Sequence, residues 1–317
     1  MTRRVFVRLL ALVSTLTLLP LALWAQTQAG AIKAVRLSGA VSKITANSTA
    51  PVLLTEGAAL TESDTVTTDA ESSVVLVFAN GASVKLGPNS RLAIEEFKMD
   101  PLPEQIAVAN LEGEPNVSKT RLNLAYGDLV GNVKKLNKSR GSEFNIKTPV
   151  GAAGIRGTTF RIVMRFEASG QVTFTLSTSE GTVAFTGTVQ VSGTGAPTQD
   201  GAAQEVAVTD GQEVSAIATV NPVTNQITNV QVSSTQAISP AASEAITAAV
   251  TQAIQQAQQS TTFTQSEQQQ AAQQTNTTSQ SNDSGSNQQG TPKSDTQNQT
   301  QTTQQTPLDT STRSGSG

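Results

Sequence analysis

The chain has no cysteine and no histidine. The first absence removes any disulfide scaffold, thiolate metal site or cysteine nucleophile. The second removes the side chain that most often serves as general base or metal ligand near neutral pH. Enzymes built on carboxylates or on Ser/Lys pairs stay open, while most hydrolase and metalloenzyme designs become hard to build. Aromatic residues are scarce too, at 3% of 317 residues. Apolar residues of every kind thin out toward the C-terminus, so the folded part is expected to be shorter than the chain. Positive charge is not in excess. A formal charge of -3 gives nucleic acid no bulk attraction. No residue pattern calls for a cofactor, and none is expected.

What is present begins with MTRRVFVRLLALVSTLTLLPLALWAQ, which has basic Arg3, Arg4 and Arg8, an apolar run from Leu9 to Trp24, and small Ala25. That order is expected of a secretory signal peptide over residues 1–25, cleaved after Ala25. The competing reading is an uncleaved anchor helix, but the run is short for a span and is broken by Ser14, Thr15, Thr17 and Pro20. The stretch TRRVFVR also resembles a twin-arginine export motif; its basic segment starts almost at Met1, so ordinary secretion is favoured. Cleavage would remove three arginines and no acid, taking the formal charge from -3 to -6. A soluble periplasmic or extracellular protein is expected, with no stable membrane span.

Residues 31–235 read as strand after strand, with no helical period between them, which predicts an all-β domain. In SSVVLVFANGASVKLG, Asn80-Gly81 predicts a two-residue hairpin turn, pairing Ala79 with Ala82, Val77 with Val84 and Val75 with Leu86. Phe160 to Phe166 and Val172 to Leu176 alternate apolar with polar residues. Only a three-residue turn over Ala168–Gly170 matches Phe166 with Val172, Met164 with Phe174 and Ile162 with Leu176. A further two-residue turn at Glu180-Gly181 would set Thr178 beside Val183 and Leu176 beside Phe185, making a meander. More turns are expected at Asp210-Gly211 and at Asn221-Pro222 and Asn225. Residues 99–120, with three prolines, read as a long inserted surface loop.

After Ser239 the pattern changes. Residues 239–259 predict one amphipathic helix, with Ser239 as N-cap and Pro240 at the first helical position. Ile246, Ala249, Val250, Ala253, Ile254 and Ala257 form its apolar stripe, which would dock on the β-domain, self-associate or stay marginal. Residues 260–317 are Gln, Thr, Ser and Asn with little to bury, and read as a disordered tail that serves as a flexible end, a spacer or an interaction segment.

The stretch TPVGAAGIRGTTF, Thr148 to Phe160, carries glycines at 151, 154 and 157 around Arg156. A P-loop would need a lysine before Thr158, and a dinucleotide loop would need Gly-x-Gly-x-x-Gly opening a helix. Neither is present. A structural role fits instead: Pro149 restricts Thr148 to extended geometry, and the small residues allow backbone to approach backbone. Arg156 would then brace the loop through carbonyl oxygens, or else present its charge to a partner. Pro149, Gly151, Gly154, Arg156, Gly157, Thr158 and Phe160 are the candidate motif residues, and no catalytic, cofactor or metal residue stands beside them.

TPVGAAGIRGTTFRI, preceded by LAYGDLVGNVKKL and SEFNIK, resembles the signature of FecR-type domains. LLTEGAALTESDTVTTDAESSVVLVFANGASVKLGPNSRLAI is similar to the strands that precede it, so the likeness covers Val35 to Phe185. The resemblance implies a periplasmic or extracellular β-roll or solenoid-like module of stacked hairpins. It also implies kinship with regulators that relay an outer-membrane transporter's signal to a cytoplasmic sigma factor. That role needs a cytoplasmic domain before a membrane span, and only Met1 to Arg8 precede the apolar run here. Direct sigma-factor binding is therefore not expected.

The expected function is an exported, non-catalytic β-domain that binds a protein or an envelope polymer. A transporter-coupled regulator is the alternative. A carboxylate-based glycan hydrolase using Glu95 and Glu96, or Glu143, is the remote one, because neighbours on a strand face opposite ways and cannot flank one bond.

Overall fold

The computed structural model describes residues 27–283 except 104, 188–189, 192–203, 222 and 225–226. The expected signal peptide and residues 284–317 of the expected tail lie outside the described residues. The domain is mostly β, as composition and pattern indicate.

The chain opens with β1 (Gln28–Ala29), β2 (Ile32–Ser38), β3 (Val41–Ile44), β4 (Val52–Leu53), β5 (Ala58–Leu60) and β6 (Thr65–Thr68). β7 (Ser73–Phe78), β8 (Ser83–Leu86), β9 (Ser90–Met99), β10 (Gln105–Ala107) and β11 (Ser118–Asn132) follow. Next come β12 (Glu143–Thr148), β13 (Gly151–Ile155), β14 (Thr159–Phe166), β15 (Gln171–Glu180), β16 (Val183–Gly187) and β17 (Gln190–Val191). β18 (Gln204–Val208), β19 (Gln212–Val220), β20 (Ile227–Val232) and β21 (Gln236–Ala237) precede helices α1 (Pro240–Ala249) and α2 (Gln255–Ser260), joined by a π-helical turn over Val250–Ile254. β22 (Thr262–Thr264) and α3 (Gln265–Asp283) end the described chain.

These strands make two stacked sheets. The first runs β4–β3–β6–β9–β11–β12–β13–β16–β18, with β1 beside β6 on β9. The second runs β5–β2–β7–β8–β11–β14–β15–β19–β20–β17. β11 belongs to both, pairing with β9 as far as Tyr126 and with β14 from Gly127 onward. Neither sheet closes on itself. The chain passes repeatedly from one sheet to the other, and Gly39, Gly157, Gly181 and Gly211, all at positive φ, stand at such crossings. The result is a roll wound around one core, bridged by aromatic contacts: Phe174 stacks on Phe185 at 4.9 Å, and Phe78 meets Phe97 edge-on at 5.2 Å.

The second sheet is also covered on its outer face. Ser239 caps α1 by accepting from the Ala242 N–H at 3.3 Å, and α1 lies over β14 and β15. The π-helical turn lies over β8 and β11, and α2 over β7. Ile246, Ala249, Ile254 and Ala257 are buried there, and Gln258 Nε2 donates to Ser83 Oγ at 3.1 Å. A strand buried on both faces needs a continuous apolar run rather than alternation, which is why Val74 to Phe78 contains no polar residue.

Three sequence expectations change. The hairpin at Asn80 has a three-residue loop, Ala79–Gly81, because the Phe78 N–H donates to Ala82 O at 2.9 Å. Leu76 therefore faces Val84 and Val74 faces Leu86, one residue off the expected register. The cause is the Asn80 side chain, which is buried and donates to Ser118 Oγ at 2.9 Å while accepting from the Ala82 N–H at 3.1 Å. Gly81 alone takes positive φ, at 88°. The predicted turn at Ala168–Gly170 holds, with Phe166 opposite Val172, Met164 opposite Phe174 and Ile162 opposite Leu176. The meander then stops: at Gly181 the chain crosses between sheets, so Thr178 faces Gln212 and Val183 faces Ile155 and Val208.

The third change joins two segments that read as unstructured. Within residues 99–120, β10 pairs with β22, setting Ile106 opposite Phe263. Neither segment has enough apolar surface alone, but together they bury Leu102, Ile106, Val108 and Phe263. Lys33 fastens the join, with Nζ 5.0 Å from the Phe263 ring centroid, 2.7 Å from Thr262 O and 2.8 Å from Glu267 Oε1. Gln268, fully buried, accepts from the Leu102 N–H at 2.8 Å and donates to Asp100 O at 3.3 Å. Ordered chain thus continues past Ser260 to Asp283.

Candidate functional site

The Thr148–Phe160 stretch is two corners with a short strand between them. Thr148 and Gly151 close a hairpin with Pro149 and Val150 at its tip, and Thr148 Oγ1 donates to Gly151 O at 2.9 Å. A Cβ on Gly151 would sit 2.6 Å from Thr186 O and 2.8 Å from Gly187 Cα, so the neighbouring backbone excludes any side chain. Gly157 makes the crossing into β14 at φ 79°, and a Cβ there would lie 3.0 Å from Lys135 Cα. Gly154 differs from the expectation of close approach: its nearest neighbours would be 3.5 Å or more from a Cβ, an ordinary contact.

Beyond the crossing, the motif serves the core. Thr158 is buried, its carbonyl accepts from the Val133 N–H at 2.9 Å, and its hydroxyl finds no partner among the described residues. Phe160 is fully buried opposite Gly131, where a Cβ would come within 2.3 Å of the ring. The ring occupies the space that glycine leaves.

Arg156 does not brace the loop. Ile155 turns into the core, so its neighbour on the strand turns out. Arg156 is exposed and makes no hydrogen bond or ion pair among the described residues. It stands at the rim of a trough of about 310 Å³ on the outer face of the first sheet. Register explains the trough: Asn145, Gly154, Ala184 and Ala207 lie in one row, and Lys147, Ala152, Thr186 and Glu205 in the next. Small side chains form its floor, while Lys138, Glu143, Arg156 and Glu205 supply charge of both signs at its edge. The glycine at 154 keeps this floor low rather than meeting a packing need.

Glu95 and Glu96 lie further along the same sheet and depart from the expected alternation. A bulge in β9 opposite Arg121 and Leu122 leaves both partly exposed between buried Ile94 and Phe97. Glu95 binds Lys147 at 2.8 Å and Asn123 at 2.9 Å, and Glu96 binds Arg121 at 3.1 Å. Burial would raise the Glu95 pKa, but the contacts from Lys147 and Asn123 outweigh it and hold the carboxyl below its usual range. A general acid needs the opposite shift. These carboxylates tie β9, β11 and β12 together. Of the seven motif residues only Gly154 and Arg156 line the trough, which the sequence could not show because it depends on β16 and β18 lying beside β13.

Residues 64–184 match the model of the FecR protein family. A search of curated proteins finds no match. Two crystal structures of a "putative anti-sigma factor" from Parabacteroides distasonis ATCC 8503 are similar. One is 12% identical with a TM-score of 0.35, covering 59% of this chain and 64% of its own. The other is 11% identical with a TM-score of 0.31, covering 54% and 60%. The chain thus spans less than two thirds of either structure, and a likeness of this degree carries no argument about function. No helix among the described residues is long and apolar enough to cross a membrane.

Proposed function

We propose that this FecR-type domain is an exported, non-catalytic binding module that engages a protein or an envelope polymer across the trough, with Arg156 as its charged anchor. The observation that carries the reading is Arg156 itself, an exposed guanidinium without a partner among the described residues, beside a small-residue floor. A guanidinium offers donors in a planar fork suited to carboxylate or carbonyl groups. The basic start, apolar run and small Ala25 support export, with the mature chain beginning near Gln26. N-terminal sequencing of protein recovered from cells tests this point.

The family match favours a second reading, a transporter-coupled regulator. The two readings separate in one experiment, affinity purification after cross-linking in intact cells. A partner captured outside the cytoplasm, and lost with Arg156→Glu, supports the binding module. Co-purification of a sigma factor with an uncleaved form would replace it with the regulator.

A further inference from the structure

Seven phenylalanines among the described residues are fully buried; Phe166 is the exception, at 48% exposed. The only tyrosine of the chain, Tyr126, is 40% exposed. Both line one cleft of about 510 Å³, together with Asn89, Gly127, Arg165 and Glu167. β11 leaves β14 at the Gly127–Met164 pair to enter the first sheet, and the gap this opens separates Tyr126 from Phe166. Burying an aromatic ring is favourable, and a chain with so few of them otherwise buries nearly all. Two left open at one place need a reason at that place.

We infer that this cleft is a glycan-binding site, taking pyranose rings of a β-linked polysaccharide between Tyr126 and Phe166. A pyranose presents C–H groups on its faces and hydroxyls around its edge. Aromatic faces match the first. The planar groups of Arg165, Glu167 and Asn89 match the second, as paired donors and acceptors. The side chains of Asn89, Tyr126, Arg165 and Glu167 make no hydrogen bond or ion pair among the described residues, so these groups are available to a ligand. The volume falls in the range of small-molecule sites, about 300–1,000 Å³.

Other occupants fit less well. An extended peptide needs a free strand edge, and β14 has only Arg165 and Phe166 beyond its pairing with β11. A polyanion would meet Glu167 as well as Arg165. The site is separate from the trough at Arg156, so the two readings stand or fall independently.

The test is co-sedimentation of the full chain with insoluble chitin, cellulose and isolated peptidoglycan sacculi, each free of bound protein. Wild type is expected to be retained by at least one. Tyr126→Ala and Phe166→Ala should each weaken retention tenfold or more, while Tyr126→Phe keeps it. Unchanged unfolding midpoints for the alanine variants establish that folding is not the cause; should either variant be unstable, Arg165→Ala with the same loss takes its place. Wild type sedimenting with none of the three, or retention undiminished in the alanine variants, would each overturn the inference.

Discussion

Gly154 and Gly157 lie three residues apart in one strand-and-corner and answer to different constraints. Gly157 holds φ at 79° against the backbone of Lys135. A β-branched residue there combines left-handed strain with a steric clash, so Gly157→Val is expected to cost about 2 kcal/mol or more. Gly154→Ala should change stability by no more than about 0.5 kcal/mol, as at other surface positions. Urea unfolding of the two variants checks both values, and equal midpoints for Gly157→Val and wild type would contradict the role given to Gly157. The sequence made the residue types legible here, because glycine beside Thr-Thr-Phe marks a corner leading into a strand. It could not separate the two glycines, since the atoms that decide the matter belong to Lys135 and Ala184.

The strap formed by β22 and α3 is where element-level reading from composition fails. Gln- and Thr-rich sequence has little to bury on average, yet Phe263 is fully buried and one ring is enough to dock a strand. Phe263→Ala is expected to lower stability by about 3–5 kcal/mol, the usual cost for a buried phenylalanine. Cutting the chain after Ser260 should lower the unfolding midpoint, and cutting after Asp283 should leave it unchanged. Acid should also loosen the strap. Burial would raise the Glu267 pKa, but Lys33 and the Thr264 N–H outweigh it and lower the value in the folded chain. A depressed carboxyl stabilises the fold above its unfolded pKa, and that contribution disappears as pH falls through the folded pKa. The protection factor of the Phe263 amide, its exchange rate taken relative to that of an unstructured amide at the same pH, should therefore fall in acid in wild type, with a smaller change in Glu267→Gln. By contrast, the Phe160–Leu176 hairpin was legible because turn length and alternation agree there. The Asn80 hairpin misled because its turn is set by hydrogen bonds to Ser118 and Thr120, far along the chain.

Over the whole molecule, alternation establishes that the domain is β and says little about which sheet a strand joins. β15 and β16 are neighbours in sequence and lie in different sheets; β13 and β16 are 28 residues apart at Ile155 and Val183 yet pair directly. The trough exists only through such pairings, and with it the account of Arg156 as an anchor. Photocross-linking in intact cells tests that account most directly, using a photoreactive residue at Ala152 in the trough and a control at exposed Gln171. The account predicts an adduct from position 152 that is absent from position 171 and lost when Arg156→Glu is added without change in the unfolding midpoint. Equal adducts from both positions, or an adduct from 152 that survives Arg156→Glu, would contradict it.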